Sequence, residues 1–278
     1  MEFMPNSTAA PSISKSPRSS PSPAGELAGS VVPRARLTQP DRDRMFDLLS
    51  AYFNNAERVR FEADLAEKEA VVLLRDSVHG QIQGFSTWSR MELAVAGREV
   101  VAFYSGDTIV AAEFWGESLL SRLWSQTVFA EADKIAVLRP NAEVFWFLIC
   151  SGYKTYRFLP VFFTEFYPTP HASTPEDWQL LLDTLGSAKF GPRYNPATGI
   201  VRFPQATPLR PGVADVTERR LTDPMVAFFQ SRNPGHTRGD ELACITRISR
   251  QNVTRAGARM LRGQFGFATA VPSPGTPE

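Results

Sequence analysis

The stretch from residue 108 to residue 120 has the residue types and spacing of a ligand-binding turn. Thr108, Ile109 and Val110 close a long apolar strand pattern, Gly116 follows after a short turn, and Leu119 opens a helical pattern. A helix that begins at such a turn presents unpaired amide N–H groups and the positive end of its dipole, both of which suit a phosphate. Glycine at the junction also lets a ligand approach the backbone closely. An ordinary strand–helix turn is the alternative interpretation of the same residues.

Two elements must hold this turn in place. The strand pattern before it runs from Glu99 to Val110, and the helix after it has Leu120, Leu123 and Trp124 on one face. The change of the apolar period from 2 to 3.6 residues predicts a strand–helix boundary here.

Composition limits the classes of protein to which the chain can belong. It has 278 residues, 43% of them hydrophobic, and a net charge of +1 from 30 basic and 29 acidic residues. This balance gives no electrostatic reason to expect a nucleic acid or an anionic membrane as the main partner. Cys150 and Cys244 lie in apolar runs and predict buried thiols rather than a disulfide framework. The three histidines lack ligand spacing, so we expect no metal site.

The two ends of the chain differ from the rest in composition. Residues 1–33 are rich in Ser, Pro and Ala, and residues 268–278 contain three prolines. Because such segments cannot offset the entropy of ordering, we expect a disordered arm and a disordered tail. No stretch reaches the roughly 20 apolar residues needed to cross a bilayer. The N-terminus lacks the apolar core of a secretory signal, so we expect a cytoplasmic protein, with an organelle transit peptide as the alternative.

Periodicity predicts the elements of the first half of the folded body. Two helices, a β-hairpin and the two elements around the glycine turn are expected. The helices cover about 41–53 and 56–68, and the hairpin strands cover about 70–74 and 81–91.

The second half of the body is predicted to be mainly helical. We expect a helix whose last turn and a half is Phe145 to Cys150 and which Gly152 ends. A strand from Tyr156 to Phe166 and a helix from Thr174 to about Gly186 follow. A short hairpin over 193–203 and helices over 221–231 and 239–262 follow. We divide the body into a main domain, residues 34–170, and an extension, residues 171–267, packed on the same body.

The order of elements over roughly residues 40–167 resembles the GNAT superfamily of acyltransferases. The segment from Val72 to Phe85 is similar to that family's central hairpin. The family's pyrophosphate signature is Gln or Arg, two residues, Gly, one residue, and then Gly or Ala. The frame that matches this signature is Glu113, Gly116 and Ser118. The segment from Asn141 to Tyr153 looks like the family's closing helix, with its Asn and its terminal Gly-aromatic pair.

This resemblance implies an α/β (α+β) fold, a mixed central sheet flanked by helices, here with a mainly helical C-terminal extension. In the family, two parallel strands separate, and the pantetheine arm of acyl-coenzyme A pairs with the backbone exposed between them. The backbone at Thr108, Ile109 and Val110 would supply that surface. The pyrophosphate would be received by the amides of Trp115, Gly116, Glu117, Ser118 and Leu119. The protein would move an acyl group from acyl-CoA or an acyl-carrier protein to an amine on a small molecule or a peptide.

Four side chains are candidates for proton transfer in such a reaction. Asp107 could activate the amine, with a turn-capping carboxylate as the alternative interpretation. Tyr104 lies on the same strand and either projects into the cleft or packs half-buried. Tyr153 could protonate the leaving thiolate, a role that Tyr156 could also fill.

Three positions depart from the family pattern and keep other functions open. Glu113 replaces Gln or Arg, Ser118 replaces Gly or Ala, and Leu148 stands where many members have a tyrosine acid. These departures favour an alternative in which a catalytically silent domain of the same fold binds a ligand or a partner. A second alternative is an unrelated α/β fold with an interaction role.

Overall fold

The computed structural model describes residues 26–262 of the chain. This part contains one eight-stranded mixed β-sheet with the strand order β1-β2-β3-β4-β5-β8-β7-β6. Its strands are β1 (Leu27–Pro33), β2 (Ala70–Asp76), β3 (Ile82–Val95), β4 (Arg98–Val110), β5 (Glu143–Cys150), β6 (Tyr194–Asn195), β7 (Ile200–Val201) and β8 (Glu241–Arg247). Neighbouring strands are antiparallel except β4 and β5, which are parallel.

Helices cover both faces of this sheet. They are α1 (Gln39–Tyr52), α2 (Arg58–Ala66), α3 (Leu119–Leu138), α4 (Tyr153–Tyr156), α5 (Phe158–Phe162), α6 (Glu176–Phe190), α7 (Glu218–Leu221), α8 (Pro224–Arg232) and α9 (Arg255–Leu261). Because alternate residues of a strand point to opposite faces, Val101 and Phe103 of β4 join the core under α3, whereas Val100 and Ala102 join the core under α6. Helices α1 and α2 pack on the same face as α6, against β2 and β3.

The observed architecture is the predicted fold class, a mixed sheet flanked by helices. The predicted helices α1 and α2, the hairpin of β2 and β3, and the short hairpin of β6 and β7 are confirmed. The C-terminal region contributes helices α6 to α9 and also adds three strands to the sheet. No helix within residues 26–262 has both the length and the apolar character required to cross a membrane.

The predicted N-terminal arm is too long, because residues 27–33 form β1. This strand pairs antiparallel with β2 along its whole length. Gly29 packs directly against α3, since a Cβ there would lie 2.0 Å from Leu123 Cδ1. Gly, Ser and Pro give a strand a weak local signal, so pairing with β2 decides the conformation. Residues 1–25 and the predicted tail at 268–278 lie outside the described residues.

The helix predicted to end at Cys150 is wrong, because that run is strand β5. A short continuous apolar run has no period that separates a helix from a strand, and the parallel partner β4 decides here. The segment matched to the family's closing helix therefore lies mostly on a strand. Leu148 pairs with Ser105 of β4, so it does not occupy the position of a helical tyrosine acid.

Three further predictions fail because tertiary contacts decide the structure of these segments. The strand expected over Tyr156 to Phe166 is replaced by the short helices α4 and α5, whose aromatic side chains fill the core under α3. The helix expected over 239–262 is strand β8 followed by α9, because β8 completes the sheet between β5 and β7. Helix α6 also continues past Gly186, which is a close packing position: a Cβ there would lie 2.8 Å from the Tyr194 ring.

Candidate active site

Strands β4 and β5 begin side by side and then separate. Their parallel pairing ends at Ser105↔Leu148, whereas β4 continues to Val110 as a partner of β3. Beyond Ser105, the edge of β4 that faces β5 therefore has no strand beside it among the described residues. This is the strand separation that the family resemblance implies.

The separated edge of β4 presents backbone polar groups. The Ala111 amide donates to the Gln83 carbonyl at 2.7 Å, on the β3 side. Because alternate residues of a strand direct their polar groups to opposite edges, Thr108 and Val110 direct theirs to the free edge. One of these groups has a local partner: the Trp115 indole Nε1 donates to the Val110 carbonyl at 2.8 Å.

A β-bulge sets the position of Asp107. Gly106 and Asp107 of β4 together oppose the single residue Thr87 of β3, and such a bulge turns side chains away from the regular alternation. Glycine is needed at residue 106 because a Cβ would lie 2.6 Å from Lys68 Cε. The bulge leaves the half-buried Asp107 side chain on the wall of a cavity.

This cavity has a volume of about 850 Å³ and lies between the separated strands. Its walls come from α1, α2, the end of β4, the start of α3, the end of β5, α4 and residues 203–214. The predicted site residues that line it are Tyr104, Asp107, Thr108, Ile109, Val110, Trp115, Gly116 and Glu117. This volume is in the range of sites for small molecules and cofactors.

Four candidates lie outside the cavity wall. Ser118 is the exposed N-cap of α3, and Leu119 is the first residue of that helix, with its side chain buried in the core. Tyr153 is 3% exposed and packs in the core. The buried Tyr156 donates its hydroxyl proton to the Pro168 carbonyl at 2.9 Å, and neither tyrosine lines the cavity.

The glycine turn forms one part of the cavity wall. Gly116 has a φ of +106°, a conformation that residues with side chains rarely adopt. Helix α3 begins at Leu119, and within residues 26–262 no hydrogen bond occupies the amides of Ser118, Leu119 or Leu120. These amides and the helix dipole give the turn a partial positive charge.

Lys154 adds a full positive charge beside the turn. Its Nζ lies 3.6 Å from the centroid of the Trp115 ring, and both residues line the cavity. Desolvation, with repulsion from Arg220, lowers the pKa of Lys154. The Lys154 cation therefore lies on the cavity wall next to Trp115.

A second part of the wall carries three carboxyl groups, those of Asp64, Asp107 and Glu241. Asp64 forms an ion pair with Lys68, with 2.6 Å between Oδ1 and Nζ, and the Lys68 side chain has no exposed surface. The described residues offer no comparable ion pair to Asp107 or Glu241. No group of three or more His, Cys, Asp or Glu side chains within residues 26–262 is arranged to hold a metal ion.

Two of these carboxyl groups titrate near neutral pH. Burial raises the pKa of Asp107 to about 7, with repulsion from Asp64 adding to the effect and Lys68 opposing it. Burial likewise raises the pKa of Glu241 to about 8, and a hydrogen bond from Ser151 opposes that shift. A carboxyl group with such a pKa can accept and release a proton under physiological conditions.

Tyr104 lies close to this acidic group. Burial, with repulsion from nearby carboxylates, raises its pKa well above the usual value, so its hydroxyl keeps its proton. The Nζ atoms of Lys68 and Lys189 lie 5.1 and 5.0 Å from its ring centroid. Cation–π contacts with Lys68 and Lys189 therefore fix the Tyr104 ring in the cavity wall.

Replacing Asp107 with Asn should stabilise the fold at alkaline pH. Because burial raises the pKa of Asp107 from 3.8 to about 7, the folded state keeps a proton that the unfolded state loses between these values. Stability therefore falls as pH rises through this window, and the cost of the buried charge persists above it. We expect Asp107→Asn to raise Tm at pH 8 by roughly 3–6 °C, equivalent to about 1–2 kcal/mol.

Thermal unfolding at pH 4.5 and pH 8 checks this expectation. At pH 4.5 the variant and the wild type should unfold at nearly the same temperature. Asp47→Asn is the matched control because Asp47 is exposed, and it should leave Tm almost unchanged at both pH values. An equal gain from Asp107→Asn at both pH values would contradict the buried-charge explanation.

Sequence reasoning missed Asp64, Lys154 and Glu241. Glu241 lies inside a segment predicted to be helical, and it reaches the cavity only because β8 joins the sheet beside β5. Asp64 has the position of a solvated residue on a surface helix. Lys154 comes two residues after Gly152, which was predicted to end a helix. No local pattern distinguishes these residues from ordinary surface charges.

Comparisons with known proteins give structural likeness only. No protein-family model and no curated protein sequence matches the chain. A conserved Enterococcus faecalis protein of unknown function, described as a probable N-acyltransferase, is 17% identical, with a TM-score of 0.36. The match covers 50% of this chain and 33% of that protein, so this chain spans about one third of its length.

Two other solved structures are similar to the same extent. A GNAT family N-acetyltransferase from Escherichia coli in complex with CoA is 15% identical, with a TM-score of 0.32 over 51% of this chain and 71% of that one. Glucosamine-6-phosphate N-acetyltransferase from Arabidopsis thaliana is 12% identical, with a TM-score of 0.32 over 47% and 87%. These likenesses cover about half of this chain and come with sequence identities of 12–17%.

Proposed function

We propose that this protein is an N-acyltransferase that moves an acyl group from a thioester donor to an amine. The observation that carries the proposal is the free edge of β4 on the wall of a large cavity. That wall also holds the glycine turn, with its unoccupied helix amides close behind, and Asp107, a carboxyl group with a near-neutral pKa. Together they supply a surface for an amide-containing arm, a place for phosphate and a proton acceptor.

The donor would lie along the free edge of β4. The backbone groups of Thr108 and Val110 can pair with the amides of a pantetheine arm as an added strand would. The pyrophosphate of acyl-CoA would meet the amides at the start of α3, with Lys154 adding attraction. An acyl-carrier protein presents the same pantetheine arm and would use the same edge.

Asp107 would act as the general base of the reaction. As the amine nitrogen attacks the thioester carbonyl, a C–N bond forms and a proton passes from nitrogen to the Asp107 carboxylate. The C–S bond then breaks, and the thiolate leaves with a proton from solvent. Proximity in the cavity and hydrogen bonds to the developing oxyanion would supply most of the rate.

Thermal shift and thiol release test this proposal together. Acetyl-, butyryl- and palmitoyl-CoA should raise Tm because a ligand that binds only the folded state stabilises it. Free thiol should then appear when an amine is added to the protein with the preferred thioester. If none of the three thioesters shifts Tm, the donor site as described here is wrong.

A catalytically silent binding domain is the second candidate, and one observation favours it. The Trp115 indole already occupies the Val110 carbonyl, which a pantetheine amide would otherwise use. A silent domain would bind CoA or a partner without releasing thiol in the presence of any amine. Thioester binding without turnover across a broad amine panel would therefore favour this candidate.

A further inference from the structure

A segment of the C-terminal extension crosses one side of the cavity. Residues 203–214, here named the cover segment, connect β7 to α7 without regular secondary structure. Its side chains Phe203, Leu209 and Val213 line the cavity, and Phe203 lies in the wall together with Tyr104 and Glu241. The extension therefore contributes part of the candidate site itself.

Backbone hydrogen bonds hold the cover segment to the end of α1. The Asn54 amide donates to the Pro208 carbonyl at 2.9 Å, and the Arg210 amide donates to the Tyr52 carbonyl at 2.8 Å. Arg60 at the start of α2 donates from Nη1 to the Gln205 carbonyl at 2.8 Å. These hydrogen bonds fix one side of the cover segment against α1 and α2.

The other side of the cover segment packs against two glycines. A Cβ at Gly152 would lie 3.0 Å from both Leu209 Cδ1 and Ala214 Cβ, and a Cβ at Gly239 would lie 2.9 Å from Ala206 Cβ. No room remains for another side chain at either contact. The cover segment is thus fixed on both sides of the space that it crosses.

The exposed part of the cavity wall lies mainly at the glycine turn and at α4. Its exposed members there are Trp115, Gly116, Glu117, Lys154, Thr155 and Arg157. Near the acidic wall, the exposed residues are Thr108, together with Glu57 and Gln205, where the cover segment meets α2. The Asp64 side chain is also 41% exposed. A polypeptide reaching Asp107 from that side would have to displace the Asn54 and Arg60 hydrogen bonds.

The charge of the acidic wall favours a cation beneath the cover segment. Lys68 forms its ion pair with Asp64 and offsets the charge of Asp107 only in part, and Glu241 has no ion pair among the described residues. Glu241 lies on β8, next to Ser151 at the end of β5, and so comes from the same extension as the cover segment. A positively charged group between Asp107 and Glu241 would relieve their mutual repulsion.

We propose that the acceptor is a free small amine held beneath the cover segment, not a lysine or N-terminus of a peptide, and that Glu241 binds its positive charge. This inference rests on the proposed function, since it names the acceptor of that same site. The cover segment excludes a polypeptide from the acidic wall, and Glu241 holds the ammonium form of the amine beside Asp107. The ammonium group then loses one proton to solvent, and the neutral nitrogen attacks the thioester with Asp107 as the base.

Calorimetry and thiol release with the full-length protein test the inference. The small amines are 1,4-diaminobutane, tyramine and glucosamine; the peptides are an acetylated hexapeptide with one lysine and a hexapeptide with a free N-terminus. We expect thiol release from acetyl-CoA with at least one small amine and none above background with either peptide. Glu241→Gln, which keeps hydrogen-bonding atoms but removes the charge, should weaken binding of that amine about tenfold or more.

The controls separate this inference from the proposed function. Acetyl-CoA affinity should stay within about twofold in Glu241→Gln, since Glu241 is not part of the donor surface. Glu176→Gln, at the exposed start of α6, should change neither affinity. Three results would each overturn the inference while leaving the donor site in place. They are efficient acylation of a peptide, unchanged amine affinity in Glu241→Gln, and binding of acetyl-CoA without binding of any small amine. If the wild type does not bind acetyl-CoA, the proposed function itself is contradicted.

Discussion

Asp107→Asn should lower kcat by about 100-fold or more, the usual contribution of a general base. Asparagine has nearly the same shape as aspartate but cannot accept a proton from the attacking amine. In the wild type, kcat/KM should rise with pH through about 7, because the raised pKa of Asp107 sets the fraction of active carboxylate. The variant should lose this rise, while its KM for the thioester stays nearly unchanged.

The measurement is thiol release at saturating thioester, followed between pH 5.5 and pH 9. The same variant is expected to be more stable at pH 8, so a loss of activity cannot be attributed to unfolding. Asp47→Asn is again the control and should keep wild-type kinetics. A loss of less than about threefold, with the pH profile intact, would remove Asp107 from the role of base.

Gly116→Val should abolish or strongly weaken thioester binding. The φ of +106° at Gly116 is strained for valine, at a cost of about 1–2 kcal/mol. The turn will relax toward a conformation with negative φ and carry the amides at the start of α3 away from the donor. We expect the affinity for acetyl-CoA to fall by about tenfold or more, as measured by calorimetry.

Gly80→Val is the matched control for this substitution. Gly80 has a φ of +66°, and its ideal Cβ, like that of Gly116, has no neighbour within 4 Å. Both variants should lose a similar amount of stability, but only Gly116→Val should lose thioester affinity. If both bind acetyl-CoA like the wild type, the glycine turn is not the phosphate site.

Local sequence signals identified the part of the site that lies on consecutive residues. The change of period between residues 108 and 120 placed a strand, a glycine turn and a helix where the structure has β4, Gly116 and α3. Asp107 was also identified, because it lies at the end of that strand. Such features depend on backbone conformation over a few residues, which the sequence encodes directly.

Tertiary pairing decided the elements that the sequence left ambiguous. The apolar run from Phe145 to Cys150 is compatible with either a helix or a strand. It becomes β5 because β4 and β8 supply hydrogen-bonding partners on both sides. The run from Leu242 to Ile245 becomes part of β8 for the same reason. The free energy that selects these strands comes from pairing with residues about 40 to 100 positions away in the chain. A local sequence pattern does not include such distant partners.

By itself, then, the sequence determined the class of fold, the glycine turn and the carboxylate beside it. Only the tertiary structure decided that β4 and β5 separate and that a bulge directs Asp107 into the resulting cavity. It also brought Lys154 and Glu241 to the same wall from distant elements. The physical reason is that local conformation follows from neighbouring side chains, whereas a cavity forms where strands and helices from separate parts of the chain fail to fill the space between them.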